Sequence, residues 1–93
     1  MLTAIVMIET EATRIPEAAA AIADIRGVSE VYSVTGEVDL IAVVRVREHE
    51  HLADVIADKV SKVDGVLRTQ TYIAFRTYSQ HDLESAFALG LED

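Results

Sequence analysis

The feature that most limits the folds open to this chain is an internal repeat with an offset of 38 residues. Shifting the sequence by that offset places segment 2–6 on segment 40–44, and segment 25–28 on segment 63–66. Each half begins with an apolar, β-branched run of strand length, continues in a helical pattern that ends at glycine, and closes with a second strand. The repeat therefore predicts two βαβ units in tandem.

The patterns also place the elements of each unit. Strands are predicted near 2–9, 30–35, 38–47 and 67–78. The apolar stripes of the two helices are Ile15, Ala19, Ile22 and Ile25, and Leu52, Val55, Ile56, Val60 and Val63. Only the short turn Thr35–Val38 joins the halves, and Gly36 supplies its positive φ. These features predict one α+β domain over residues 1–78, a ferredoxin-like βαββαβ fold with a four-stranded antiparallel sheet and two helices on one face.

Both faces of the two central strands are apolar. In the third strand Leu40, Ala42 and Val44 point one way, while Ile41 and Val43 point the other. Hydrophobic residues make up 51% of the chain, slightly above the ordinary range of about 45–50%. Since the chain offers no second layer to cover the second face, we expect a second copy to do so, in a homodimer packed sheet to sheet.

The charge balance excludes several classes of protein. The chain carries 16 acidic and 8 basic residues, a formal net charge of −8, and has no cysteine. Direct nucleic-acid binding needs a clustered surplus of Lys and Arg, which is absent from the sequence. Disulfides, thiolate metal sites and cysteine nucleophiles are excluded, and no apolar run has the length of a membrane span. We expect a cytoplasmic protein without a membrane partner.

The last fifteen residues, 79–93, form a separate tail in this interpretation. Ser79 and Asp82 have the spacing of a helix-capping pair, and Leu83, Phe87 and Leu91 follow at helical spacing. A short amphipathic helix is predicted, which packs either on its own domain or on a neighbouring subunit.

No motif indicates catalysis, a cofactor or a metal. The densest group of metal-ligand types is Glu48-His49-Glu50-His51, but side chains two apart do not share a helical face. An exposed first helical turn is the favoured interpretation of this segment. No acid, base and nucleophile fall at a diagnostic spacing. We therefore expect no catalytic residues, no cofactor and no metal site.

Asp39 is the residue that ordinary turn chemistry does not explain, because a carboxylate within an apolar strand, on the face assigned to the dimer, needs a partner. Three environments could stabilise the Asp39 carboxylate: an ion pair with Arg45 or Arg68, a strand end that is open to water, or the ammonium group of a bound ligand. The segment 68–72, at the start of the last strand, alternates hydroxyls with other polar groups. Together the turn and this strand offer the groups that bind a small zwitterion.

Two segments of the sequence resemble a known family. They are residues 27–40, GVSEVYSVTGEVDL, and residues 64–71, DGVLRTQT. Both resemble the regulatory domain, or RAM domain, of the Lrp/AsnC transcription regulators, and the resemblance covers nearly all of residues 1–78. It implies a βαββαβ fold, dimers formed by sheet packing, and assembly of four dimers into an octameric ring.

The resemblance also implies a site. Amino acids or related small metabolites are bound between dimers in this family, by the turn between the repeats, the last strand and a facing helix. The matching residues are Thr35, Gly36, Glu37, Val38, Asp39, Thr69, Gln70 and Thr71. The family commonly has an aromatic residue where this chain has Val38.

Full-length members of the family begin with a helix-turn-helix segment, whereas this sequence starts at the first strand of the regulatory domain. The expectation is a stand-alone amino-acid-sensing module that affects transcription through a full-length partner. The main rival is a small dimeric ferredoxin-like monooxygenase or isomerase. Such an enzyme needs a polar or aromatic cluster on the helix-facing side of the sheet, where this chain has mainly Ala, Val, Leu and Ile. A second rival, an ACT-type domain, is usually fused to an enzyme.

Overall fold

A computed structural model describes residues 1–79 and contains the predicted order of elements. The strands are β1 (Leu2–Thr10), β2 (Val28–Ser33), β3 (Leu40–Val46) and β4 (Val66–Ile73), and the helices are α1 (Ile15–Ala23) and α2 (His49–Asp58). Short 3₁₀ turns, Ala12–Arg14 and Val60–Lys62, precede α1 and follow α2. The strands form one antiparallel sheet in the order β2-β3-β1-β4. The predicted ferredoxin-like βαββαβ fold is confirmed.

The core lies between the sheet and the two helices. Alternate residues of β1 and β3 are fully buried there: Ala4, Val6, Ile8, Leu40, Ala42 and Val44. The helices contribute Ala18 and Ile22 from α1 and Leu52 and Val55 from α2. Full burial of a Val, Leu or Ile side chain contributes about 1.5–3 kcal/mol, so this layer is the main source of the fold's stability.

The opposite face of the sheet, called the open face below, carries the other alternating residues. Ile5 pairs with Val43 and Met7 with Ile41 across the two central strands. These four side chains are partly exposed, and Ile5 retains 38% of its accessible surface. The prediction that both faces of the central strands are apolar is confirmed.

The strand bounds differ from the predicted ones for reasons of pairing. β4 ends at Ile73 and not near residue 78: its pairing with β1 ends at Ala4 and Ile73, and one further hydrogen bond joins the Ala74 N–H to the Thr3 carbonyl at 2.9 Å. β2 occupies residues 28–33 and not 30–35, with an irregularity between Val28 and Glu30 where the register shifts. β3 is shorter than predicted, 40–46 against 38–47.

Beyond Ser79, the predicted tail helix lies outside the described residues. Within residues 1–79, no helix combines the length and the apolar character that crossing a bilayer requires.

Candidate functional site

The connection between β2 and β3, residues 34–39, folds over the end of β1. The Val34 N–H donates to the Asp39 carbonyl at 3.1 Å, which closes the turn. The Asp39 N–H donates in turn to the Ile8 carbonyl at 3.0 Å. Gly36 has the predicted positive φ, 130°, which side chains rarely tolerate. This turn therefore lies close to the first residues of β4, the other neighbour of β1 in the sheet.

Asp39 has a partner that the sequence did not indicate. Its Oδ2 accepts a 2.9 Å hydrogen bond from the backbone N–H of Thr10, the last residue of β1. Of the three alternatives for Asp39, the ion pair is not formed among the described residues, because Arg45 binds Glu30 at 3.4 Å and Arg68 binds Glu9 at 2.7 Å. The half-buried Asp39 carboxylate thus ties the turn to the end of β1.

The polar segment of β4 is divided between the two faces of the sheet. Thr69 and Thr71 pair with Ile8 and Val6 of β1, so they share the helix-facing side, whereas Gln70 pairs with Met7 on the open face. The Thr69 hydroxyl lies 3.5 Å from the hydroxyl of Ser61 in the segment after α2.

A cavity of about 290 Å³, called the turn cavity below, lies between the turn and the start of β4. Its lining residues are Met7, Glu9, Glu37, Val38, Arg68, Thr69 and Gln70. Of the eight predicted site residues, Glu37, Val38, Thr69 and Gln70 line it. Thr35, Gly36, Asp39 and Thr71 do not line it, and Asp39 instead fixes the turn that forms one wall.

Three residues of the turn cavity were absent from the predicted set: Met7, Glu9 and Arg68. Glu9 and Arg68 face each other across β1 and β4 and form the 2.7 Å ion pair. Their opposite charges were visible in the sequence, but the register that pairs them was not. The Arg68 side chain is 78% exposed, so its guanidinium is accessible from solvent.

The turn cavity combines both signs of charge. The carboxylates of Glu9 and Glu37 accept N–H donors, and the guanidinium of Arg68 presents donors in a planar fork that matches a carboxylate. Such a surface can bind both ends of a zwitterion.

Segment 48–51 has the predicted form of an exposed first turn: α2 begins at His49, with Glu50 in its first turn, and all four residues are exposed. Within residues 1–79, His, Cys, Asp and Glu side chains form no group of three that could hold a metal ion.

The fold and the turn cavity define the class of protein. This is a ferredoxin-like domain with a polar cavity at one end of the sheet, while the space between sheet and helices is filled by aliphatic side chains. A family profile for the Lrp/AsnC ligand-binding domain matches residues 3–83. The chain belongs to the Lrp/AsnC ligand-binding domain family, which is regulatory and not enzymatic, and the predicted resemblance is confirmed.

Individual relatives agree with this assignment. An HTH-type transcriptional regulator of Pyrococcus furiosus is 38% identical over 73 residues, which are 78% of this chain and 49% of that protein. The chain spans about half the length of the curated relatives it matches. The crystal structure of TTHA0845 from Thermus thermophilus is 44% identical, with a TM-score of 0.81, and the match covers 86% of this chain and all of that one. A feast or famine regulatory protein of M. tuberculosis, complexed with L-methionine, is 30% identical with a TM-score of 0.70, over 86% of this chain and 54% of that one.

Proposed function

We propose that this domain binds an amino acid in the turn cavity and acts as the effector-sensing part of a transcription regulator. The proposal rests on one observation: Glu37 of the turn lines the same cavity as the ion pair that Glu9 of β1 forms with Arg68 of β4. Family membership supports it, as does the L-methionine complex of the 30% identical M. tuberculosis protein.

Size and charge both suit such a ligand. Small-molecule sites usually occupy about 300–1,000 Å³, so a cavity of about 290 Å³ suits a single amino acid better than a larger metabolite. In the proposed mode the ligand carboxylate approaches the free edge of the Arg68 guanidinium, and the ligand ammonium approaches Glu37. Val38 and Met7 supply the apolar part of the wall.

The test is a thermal-shift screen of the twenty amino acids, followed by calorimetric titration of any that raises the Tm. A ligand at 100 times its Kd stabilises the protein by about 2.7 kcal/mol. Arg68→Gln should weaken binding about tenfold or more, since it removes a charge-assisted hydrogen bond. Arg76→Gln, an equivalent change at an exposed residue outside the cavity, should leave binding unchanged. If no amino acid shifts the Tm, or if both variants respond alike, amino-acid sensing in this cavity is refuted.

We further propose that the open face is the surface of a homodimer. Its central residues Ile5, Ile41 and Val43 form a continuous apolar patch with Met7, which lies at the end of the patch where the turn cavity begins. Tyr32 and Tyr72 on the flanking strands are each about half exposed. Apolar patches of this kind are typical of association surfaces. Ile41→Asp should convert a dimer to a monomer in light scattering, whereas Ala53→Asp on the exposed surface of α2 should not. A wild-type protein that is monomeric at high micromolar concentration would contradict the proposal.

Assembly of four such dimers, and co-assembly with a full-length Lrp/AsnC regulator, extend the same proposal. A shared open face would let the two chains form mixed dimers, and through them the effector would modulate transcription. Co-expression of the two proteins with a tag on one chain, followed by affinity purification, tests this step. Recovery of separate homo-oligomers alone would contradict it.

A further inference from the structure

A second and larger cavity, called the basic cavity below, lies at the other end of the sheet. It has a volume of about 770 Å³ and is formed by the loop after α1, the end of β3 and one face of α2. The turn cavity lies at the beginning of β3, whose seven residues span about 20 Å, so the two cavities are about 20 Å apart.

The charge around the basic cavity is opposite to that of the chain. Arg26, Arg45, Arg47 and Lys59 line it, which is half of the chain's eight basic residues, whereas Asp54 is the one acidic residue among the lining residues. The whole chain has a net charge of −8. A local surplus of cations in an acidic protein is costly by mutual repulsion, and a bound anion would relieve that repulsion.

Three of the four cations have no ionic partner in the described part of the chain. Among residues 1–79, no carboxylate forms an ion pair with Arg26, Arg47 or Lys59. Arg45 is bound to Glu30, at the comparatively long distance of 3.4 Å. The N–H donors of Arg26, Arg47 and Lys59 are therefore available to a ligand.

The backbone holds these side chains together. The Arg45 N–H donates to the Gly27 carbonyl at 2.9 Å, which fixes the loop carrying Arg26 beside the end of β3. Gly27 has φ +102°, and a Cβ there would lie 2.9 Å from a methyl group of Val55. The absence of a side chain thus lets α2 approach the loop. Val46 and Val55, both almost fully buried, give the cavity an apolar floor.

We propose that the basic cavity binds a phosphorylated small molecule of about nucleotide size, at a site distinct from the turn cavity. Arginine matches the paired oxygens of a phosphate through its planar fork, and lysine adds a point charge. Arg26, Arg47 and Lys59 bind the phosphate groups, and the floor of Val46 and Val55 contacts the less polar part of the ligand. A volume of about 770 Å³ is ample for one phosphate group and an attached ring system.

The test is calorimetric titration of the full chain with ATP and with pyrophosphate, in metal-free buffer at low ionic strength. Lys59→Gln and Lys62→Gln form a matched pair, because both remove one exposed lysine in the same region and only Lys59 lines the cavity. We expect saturable binding of one molecule per chain, weakened about tenfold by Lys59→Gln or Arg47→Gln and less than about twofold by Lys62→Gln. ATP should bind more tightly than pyrophosphate, because only ATP reaches the apolar floor.

Several outcomes would overturn the proposal. Absence of saturable binding by either probe, or equal weakening by Lys59→Gln and Lys62→Gln, would show that the cations act only as a diffuse field. Binding of pyrophosphate without binding of ATP would exclude a nucleotide-sized ligand. A single-stranded oligonucleotide that binds more tightly with increasing length, while ATP does not bind, would indicate a nucleic-acid surface. A melting temperature of Lys59→Gln equal to that of the wild type, measured in parallel, ensures that lost binding is not lost folding.

Discussion

Truncation of Asp39 tests how the turn cavity is built. The Asp39 carboxylate is the acceptor for the backbone N–H of Thr10 at 2.9 Å, and Thr10 itself retains only 6% of its accessible surface. In Asp39→Ala the N–H loses its acceptor at a position that solvent hardly reaches. Hydrogen bonds to charged groups contribute about 1.5–3 kcal/mol, and the half exposure of Asp39 favours the middle of that range, so we expect a loss of about 2 kcal/mol.

Urea denaturation followed by circular dichroism measures this loss. For a domain of this size a loss of about 2 kcal/mol lowers the urea midpoint by roughly 1–2 M. Protein concentration must be held constant, because the proposed dimer would make the measured stability depend on it. Asp39→Asn retains an oxygen acceptor without the charge, and we expect it to lose about half as much. Glu37→Ala, in the same turn but without a hydrogen-bond partner among the described residues, should change stability by less than about 0.5 kcal/mol.

Two results would refute the reasoning. If Asp39→Ala is as stable as Glu37→Ala, the hydrogen bond to Thr10 contributes nothing to the fold. If Asp39→Asn is as unstable as Asp39→Ala, the loss does not come from the missing acceptor. The series also separates structure from binding: an effector response that survives in Asp39→Asn but not in Asp39→Ala indicates that Asp39 shapes the turn and does not contact the ligand.

The remaining predictions concern backbone conformation and one exposed ion cluster. Gly27→Ala should destabilise the fold by about 2–4 kcal/mol in urea denaturation, because the positive φ and the 2.9 Å distance from an added Cβ to Val55 both oppose a side chain. Gly36→Ala should lose only about 1–2 kcal/mol, because an added Cβ there would have no atom within 4 Å. Equal losses would contradict the packing at Gly27. The 2.7 Å hydrogen bond from the Tyr32 hydroxyl to the Glu30 carboxylate lowers the pKa of Glu30 and raises the pKa of Tyr32 above its ordinary 10.0. Glu30→Gln should therefore bring the pKa of Tyr32 down toward 10.0 in an NMR titration. An unchanged Tyr32 pKa would contradict the contact. Because the folded pKa of Glu30 lies below its ordinary 4.5, this contact stabilises the fold at neutral pH, and its contribution disappears as the pH falls from 4.5 through the lowered value.

The sequence was sufficient to predict which face of the sheet each strand residue occupies, because side-chain alternation along a strand is a local property. The alternation of Ala42 and Val44 with Ile41 and Val43 assigns each residue to a face without any knowledge of the partner strand. The end of β4 was not accessible in the same way. Residues 74–78 retain an acceptable strand composition, but the pairing of β1 with β4 ends at Ala4 and Ile73, and this long-range register is not visible in the local sequence.

The candidate site shows the same division between local and long-range information. Glu37 and Val38 were predicted because they lie in the turn that the family resemblance assigns to the site. The ion pair of Glu9 and Arg68 was missed because the residues lie far apart in sequence and meet only through the antiparallel register of β1 and β4. The partner of Asp39 was missed for a related reason: Thr10 contributes a backbone N–H, and a backbone donor leaves no mark in the amino-acid sequence.

Although the net charge of the chain is −8, half of its basic residues line the basic cavity, so the local charge there differs from that of the whole chain. Charges on a protein surface are screened over about 8 Å at physiological ionic strength. A small anion inside the basic cavity is therefore governed by Arg26, Arg47 and Lys59, whereas a long polyanion also crosses the acidic surface beyond the rim and is repelled there. The same charge distribution thus favours a small phosphorylated ligand over a nucleic acid, and it predicts that raising the salt concentration weakens ATP binding and reduces the repulsion of longer polyanions.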